Sequence, residues 1–461
     1  MKERILQTLR SLSAYAVEKG YEVVIFFHEE DSYLMRFANS AVSLNTNEHL
    51  IRLEATAYEG RKRATYEMIT DLTQIEAMKQ GIDFAAEMVH HAMPLSYDPT
   101  IPALKADFID ERGYDAELAK LSNEERLAYF NQISGNLETA DLKLGGIFSN
   151  GTNTLAQINT KSEYVQYFKT SDAQVTAVLS HEKLKWEVIA EQSAQKKTDL
   201  DPERLNRELT FLIEHYQNDT PQQLPLGSYD IVFGSAATAE MVRFMNWIGF
   251  NGGLMKRGFS FLTEEKIGQK ILSEKITLKD DPTKLETFPQ KQDFMGIDRG
   301  PYPLFRDGVF QGFIWNQDDA DEFGAEATGH TVMHNSLVLE GGEGEINSLQ
   351  DLVNQPREKD ILYIPYLHYM NIVNPSQGLI TGSSRFGSLL LKNDGSVVIP
   401  YNVRLTQSLL DIFGEKVAWL SKKTVPYNAS NSYGARDPVA LIVPKFIRVN
   451  DLEISHSNDS Y

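Results

Sequence analysis

Residues Tyr229–Gly253 read YDIVFGSAATAEMVRFMNWIGFNGG, and the rest of the chain is organised around them. Asp230 to Phe233 is a short apolar strand. Gly234-Ser235 breaks it, and a serine at that point can accept a free amide hydrogen bond and cap a helix. Ala237, Met241, Phe244, Met245 and Ile248 then recur at helical spacing and predict one buried stripe. Gly249 and Asn251-Gly252-Gly253 end the helix. A strand feeding a core helix suits many folds, so the flanking sequence has to decide which.

The chain has 461 residues, which predicts two or three domains. It contains no Cys. That excludes disulfides, thiolate zinc ligands and a Cys nucleophile, and it fits a reducing, cytoplasmic setting. The opening MKERILQTLRSLSAYAVEKG reads as an amphipathic helix without the apolar core or cleavage pattern of a signal peptide. No apolar run approaches membrane-spanning length. A net charge of −19 would repel a phosphate backbone, so direct nucleic-acid binding is not expected and the charge reads as a solubility device.

Upstream of the central stretch, Leu6 to Lys19 is a helix and Glu22 to Phe27 a strand. Tyr33 to Phe37, Ala41 to Leu44, Ile51 to Tyr58 and Arg63 to Met68 alternate as further strands. Leu72 to Met93 is helical by period, and Pro94 stops it. Asn123-Glu124-Glu125 opens another helix. KLGGIFSNG, TLAQINT, EYVQYFKT, AQVTAVLS and KWEVIAEQ, between Lys143 and Gln192, form a β-meander with Ser-Asn-Gly and Ser-Asp read as turns. Asp201 to Gln217 is a helix with Pro202 in its first turn. NDTPQQLPL, Asn218 to Leu226, is the main linker candidate. Downstream, Lys270 to Leu278 and many short segments separated by Gly and Asp/Asn read as strands. The expected fold is α+β. A helix-plus-β-meander domain spans 1–222, with sub-units 1–93 and 113–217 as a possible duplication, and a β-rich domain spans 223–461.

No constellation declares a catalytic centre. His181-Glu182 lacks the second His of a zinc helix and sits between strands, so a surface turn accounts for it. His330 and His334 stand four apart near Asp318, Asp319, Asp321, Glu322 and Glu326. They would share a metal on a helix, but Gly329 and Asn335 flank a segment that does not read as one. His90 and His91 face different ways on a helix. Gly252-Gly253 with Lys256-Arg257 offers an anion loop, yet fits no phosphate-loop pattern. No Gly-x-Ser-x-Gly elbow occurs.

Four stretches together resemble the TldD/PmbA family, also known as modulators of DNA gyrase. They are MRFANSAVSLNTNEHLIRLEATAYEGRKRATYE at 35–67, the central stretch, GIDRGPYPLFRDGVFQGFIWNQDDADEFGAEATGH at 296–330, and NPSQGLITGSSRFGSLLLKNDGSVVIPYNVRL at 374–405. The resemblance covers nearly the whole chain and rests on the order and spacing of the motifs. It implies a two-domain α+β subunit that pairs with a relative to form a peptidase with an enclosed chamber. In the TldD-type subunit, a helix carrying His-Glu-x-x-x-His and a Cys near the C-terminus hold zinc. The matching helix here, 236–249, has Arg243, Phe244, Met245, Asn246, Trp247 and Ile248, followed by Gly249. The region matching the Cys, 428–439, offers Ser430 and Ser432. This is the pattern of the TldE/PmbA-type subunit.

The resemblance therefore implies a non-catalytic, metal-free subunit that acts on unfolded peptides, with zinc in a TldD-like partner and a homodimer when alone. A stand-alone peptide-binding or scaffold homodimer is the alternative. The Gly-rich strand region Gly378, Thr381, Gly382, Ser383 and Gly387 is the candidate peptide grip, since an extended peptide can add to a sheet edge and Gly382 allows close approach. Gly382 and Gly387 are equally well read as bends. A relocated metal at His330 and His334 is the third reading.

Overall fold

The computed structural model describes residues 1–216, 219–430 and 435–458. The N-terminal half is built on β1 (Glu22–Ala38), β2 (Ala41–Glu59), β3 (Lys62–Thr70), β4 (Phe108–Gly113), β5 (Leu142–Asn159), β6 (Gln166–His181) and β7 (Trp186–Ala194). They form one sheet in the order β3-β2-β1-β5-β6-β4, with β7 also on β6. The two expected meanders are thus the two halves of a single sheet, joined by the antiparallel pairing of β1 with β5. Asn39 and Ser40 turn β1 into β2 with φ of 50° and 61°, the positive values a two-residue hairpin requires.

One face of this sheet is apolar and is covered by helices. α1 (Lys2–Lys19) and α2 (Ile75–His91) bury Leu9, Leu12, Ile82 and Val89 against Ile25, Phe27 and Leu53. Among the helices that follow are α3 (Ala116–Ala119), α4 (Asn123–Ser134) and α5 (Pro202–Tyr216). Phe130, Ile133, Leu205 and Leu209 of α4 and α5 pack on Phe148, Val175 and Val188. The opposite face is polar, with His28, Glu30, Asn153, Asp172 and Glu191 at alternate positions. It meets the C-terminal half. There Gln157 Nε2 donates to the Phe294 carbonyl at 2.7 Å, and Arg436 grips Asp172.

Two turn expectations are corrected. Ser149-Asn150-Gly151 and Ser171-Asp172 lie inside β5 and β6, which are continuous strands of 18 and 16 residues. The polar side chains are satisfied from outside the strand. Asn150 accepts from Arg126 at 3.0 Å and donates to the Leu118 carbonyl at 2.9 Å. Gly151 is there for space: a Cβ would lie 1.9 Å from the Asp31 carbonyl of β1. Gly151→Ala should therefore cost about 2 kcal/mol or more, as overpacking does, and urea titration measures it.

The C-terminal half holds β8 (Gly227–Gly234), α6 (Ser235–Met245), β9 (Leu278–Asp280), β10 (Tyr302–Arg306), β11 (Val309–Phe310) and β12 (Leu337–Leu339). Next come β13 (Ile361–Ile364), β14 (Tyr366–Asn374), β15 (Leu379–Arg385), β16 (Leu389–Leu391), β17 (Val397–Val398) and β18 (Asn402–Ser408). β19 (Val417–Leu420), β20 (Thr424–Asn428), β21 (Ala440–Pro444) and β22 (Phe446–Asn458) complete it. One sheet runs β14-β15-β18-β22-β8-β13-β16-β17, with β19 on β22; the other runs β11-β10-β9-β12-β21-β20. The expected strand Lys270 to Leu278 is mostly loop, and only its end enters β9.

α6 lies between these sheets, against β8, β14 and β22 of one and β20 and β21 of the other. That is why Ala236, Ala237, Ala239, Met241, Val242 and Met245 are all buried: small side chains let two sheets close on one helix. The helix is therefore apolar almost all round, beyond the single stripe its spacing predicts. Its cap is Gly234, with no side-chain bond from Ser235. A second core passes between the halves, from Leu212 and Tyr216 of α5 to Leu389 and Leu391. Among the described residues no helix is long and apolar enough to cross a membrane.

Candidate functional site

The open side of α6 and of the turn after it carries Glu240, Arg243, Phe244 and Trp247, one stripe at helical spacing. Arg243 donates to Glu240 at 3.0 Å, and Tyr427 Oη donates to the same carboxylate at 3.0 Å. Trp247 is 56% exposed. The next turn, Asn246–Phe250, is a π-turn. It brings Asn246 to the loop that holds His330 and His334: Asn246 Nδ2 donates to the Val332 carbonyl at 2.9 Å, and Asn335 donates to Asn246 at 2.6 Å. Met245 is buried in the core, and a Cβ at Gly249 would meet the Phe261 ring at 2.9 Å.

These residues do not fit zinc. Arg243 is a cation, Phe244 has no donor atom, and Ile248 is only 3% exposed. The two imidazoles of the loop are not brought to one point. His330 is buried, with Nδ1 2.6 Å from Asp280. Asp280 also accepts from Arg299 at 2.9 Å and from the Ser336 amide at 2.6 Å. Burial works against the Asp280 charge, but these donors outweigh it and hold the carboxyl below its ordinary value. His334 instead lies 3.4 Å from Asp437. Among the described residues no three His, Cys, Asp or Glu side chains converge on a metal position. Of the two serines in the region matching the family Cys, Ser430 donates to the Val439 carbonyl at 3.3 Å, and Ser432 lies outside the described residues.

The other singled-out groups have structural roles. His181 Nδ1 accepts the amides of Lys183 and Leu184 in a turn. His90 pairs with Glu59 at 2.8 Å. The Gly252-Gly253 loop holds an internal carboxylate in place of an anion: a Cβ at Gly253 would meet Asp319 at 2.0 Å, and Arg257 pairs with that residue at 2.9 Å. Of the neighbouring acids, Asp318 pairs with Arg63 at 2.8 Å and Asp321 accepts from Thr100 at 2.8 Å.

The peptide grip is expected at Gly378, Thr381, Gly382, Ser383 and Gly387, in and around β15. β15 is paired on both sides, to β14 and β18, so its backbone has no free edge. Thr381 donates to the Leu405 carbonyl at 3.0 Å. Gly382 makes room for Met370, while Gly378 and Gly387 take φ of 62° and 96° at turns. One edge strand of that sheet is β14, which among the described residues pairs with β15 alone.

Beside the first turn of α6 opens a cavity of about 650 Å³ between the polar face of the N-terminal sheet and the C-terminal half. Its walls include Glu191, Glu208, Tyr363, Tyr366, Tyr427 and Lys445. Glu208 accepts from Arg204 at 3.0 Å and Lys445 at 3.3 Å; burial opposes its charge, but these cations hold it below the ordinary carboxylate value. Burial pushes the Glu191 carboxyl up to about 7, against the pull of Lys445 and with the help of Glu240 and Glu208. Burial also raises the three phenols, helped by the nearby carboxylates, so they stay neutral. Sequence reasoning singled out none of these residues. The alternation in KWEVIAEQ does set Glu187, Ile189 and Glu191 on one face.

The chain has the fold of the crystal structure of TldE from Thermococcus kodakarensis, at 18% identity and a TM-score of 0.79, over 97% of this chain and 100% of that one. It is similar to a candidate modulator of DNA gyrase from Thermotoga maritima, at 16% identity and a TM-score of 0.76, over 97% and 99% of the two chains. A second such protein, from Bacteroides thetaiotaomicron, matches at 16% identity and a TM-score of 0.76, over 97% and 98%. A search of curated proteins returns no match. The sequence profile of the PmbA/TldA metallopeptidase C-terminal domain matches residues 226–456, from the start of β8 into β22, so this chain belongs to the PmbA/TldD metallopeptidase family.

Proposed function

We propose that this chain is the metal-free subunit of a TldD/TldE-like zinc metallopeptidase and helps enclose unfolded peptides for a metal-bearing partner. One observation carries the reading. α6 and the π-turn after it sit where the family resemblance expects the zinc helix, and they present Arg243, Phe244 and buried Ile248 in place of ligands. A chain without catalytic atoms can still shape a chamber wall. The free edge of β14, with Tyr369 and Val373 exposed along it, is the place where an extended peptide would add a strand. The absence of Cys suits the reducing cytoplasm, and the net charge of −19 disfavours direct contact with nucleic acid.

Obligate pairs commonly bury upwards of about 2,000 Å². Alone, the chain is expected to cover that surface as a two-fold homodimer. Mixed with a relative that carries His-Glu-x-x-x-His, it is expected to exchange into a heterodimer. Light scattering on the chain and on the mixture reads both. A chain that stays a homodimer beside every such relative would favour the stand-alone binding module.

The same reading predicts that writing the motif into α6 fails. Arg243→His, Phe244→Glu and Ile248→His together should bind no stoichiometric zinc, because the third ligand and the groups that would orient the imidazoles are missing. Burying polar groups at Ile248 and Phe244 should cost about 2–4 kcal/mol. Elemental analysis and urea titration check the two halves.

A further inference from the structure

We propose that the cavity beside α6 is a binding site for an organic cation, a primary ammonium or guanidinium group on an apolar stem, with Glu191 as its counter-ion. Most charges in and around the cavity are already paired. Glu208 is held by Arg204 and Lys445. Glu240, which faces the same cluster from α6, is held by Arg243 and Tyr427. Arg207 lies 3.7 Å from Glu203. Lys423 and Glu286 are exposed to solvent at the rim. The Glu191 carboxylate is half-buried and, among the described residues, has no hydrogen-bond or ion-pair partner.

A carboxylate in that position either takes up a proton or waits for a cation. The groups that face it favour the cation. The phenols of Tyr363, Tyr366 and Tyr427 each sense its charge, and all three stay neutral. A cation entering there meets these aromatic walls as well as the carboxylate. An anion would meet the unpaired Glu191, and the inner cations Lys445 and Arg204 are engaged with Glu208. A neutral apolar ligand would leave Glu191 desolvated and unpaired. The volume of about 650 Å³ exceeds one ammonium group and leaves room for a stem. The carrier is either a free amine or the basic side chain of a peptide. The inference rests on the cavity being where a ligand is held, and not on pairing with a metal-bearing relative.

Calorimetric titration of the full chain with 1,5-diaminopentane and butylguanidinium tests the inference, with pentanoate and 1-pentanol as controls. A lysine-containing unstructured peptide and its norleucine counterpart form the second arm. Saturable binding of the cations is expected, and none of the controls. Affinity should fall roughly tenfold from pH 8 to pH 6, because the carboxyl that binds them titrates at about 7. Glu191→Gln should lose at least about tenfold in affinity, more than 1.4 kcal/mol, while Glu453→Gln, exposed and outside the cavity lining, leaves it unchanged; circular dichroism verifies that both are folded. Tighter binding of the lysine peptide than of the diamine, with no binding of the norleucine form, identifies a peptide as carrier; the reverse order identifies a free amine. Absence of saturation by any cation, preference for pentanoate, or binding indifferent to Glu191→Gln in the folded protein would each overturn the assignment. None of those results bears on heterodimer formation.

Discussion

Arg436→Met is expected to destabilise the protein by about 3–5 kcal/mol, the usual effect of removing one partner of a buried ion pair. Arg436 is 7% exposed and Asp172 is 2% exposed. The guanidinium meets Asp172 twice, each time at 2.8 Å, and also reaches Ser149 at 3.3 Å. Its backbone N–H donates to Glu30, itself fully buried and paired with Arg52. Burial already pushes the Asp172 carboxyl up despite Arg436. Without the cation, that carboxylate stands alone between the two halves of the chain and must take up a proton. Asp172→Leu added to Arg436→Met should recover much of the loss, because neither charge is then buried unpaired. Urea titration of wild type, single and double variants measures both effects. A loss below about 1 kcal/mol for the single variant would show that the pair does not hold the halves together.

The opposite sign is expected at Glu191. Its folded carboxyl lies near 7, above the ordinary value of 4.5. The folded state therefore binds more protons than the unfolded state between those values. Stability contributed by this group is present below the unfolded value and is lost as pH rises through the folded one. Wild type should weaken from about pH 4.5 to 7 by this term, and Glu191→Gln should not. At pH 8 the variant should be more stable by about 1–3 kcal/mol, reduced from the full shift because the cavity admits water. Near pH 4.5 the two should be alike. Urea midpoints at pH 5 and pH 8 supply the comparison. A gap of the same size at both values would contradict the assignment. A residue that costs stability and faces a cavity is the usual mark of a group kept for binding.

The elements that local pattern controls could be read from the sequence. The helices 6–19, 72–93 and 201–217 were legible because one face of each is apolar at helical period, and they appear as α1, α2 and α5. The β8–α6 junction was legible for the same reason. Features set by residues far apart were not. Asp172 reads as a turn residue because its partner Arg436 is 264 positions away. Gly151 reads as a turn glycine, yet it answers the Asp31 carbonyl on a neighbouring strand. β15 reads as a candidate sheet edge because strand order is absent from the sequence; the pairing with β14 and β18 makes it internal. The cavity draws Glu191, Tyr363 and Tyr427 from three separate regions, so no window of sequence contains it.

The central claim is that this chain acts as the metal-free half of a peptidase. The most direct measurement is cleavage of an unstructured peptide by this chain, by a relative carrying His-Glu-x-x-x-His, and by the two together, each with and without a chelator. The account predicts no cleavage by this chain alone, cleavage by the mixture with zinc on the relative only, and loss of that cleavage on chelation. Cleavage by this chain alone with zinc of its own, or a mixture no more active than the relative by itself, would contradict it.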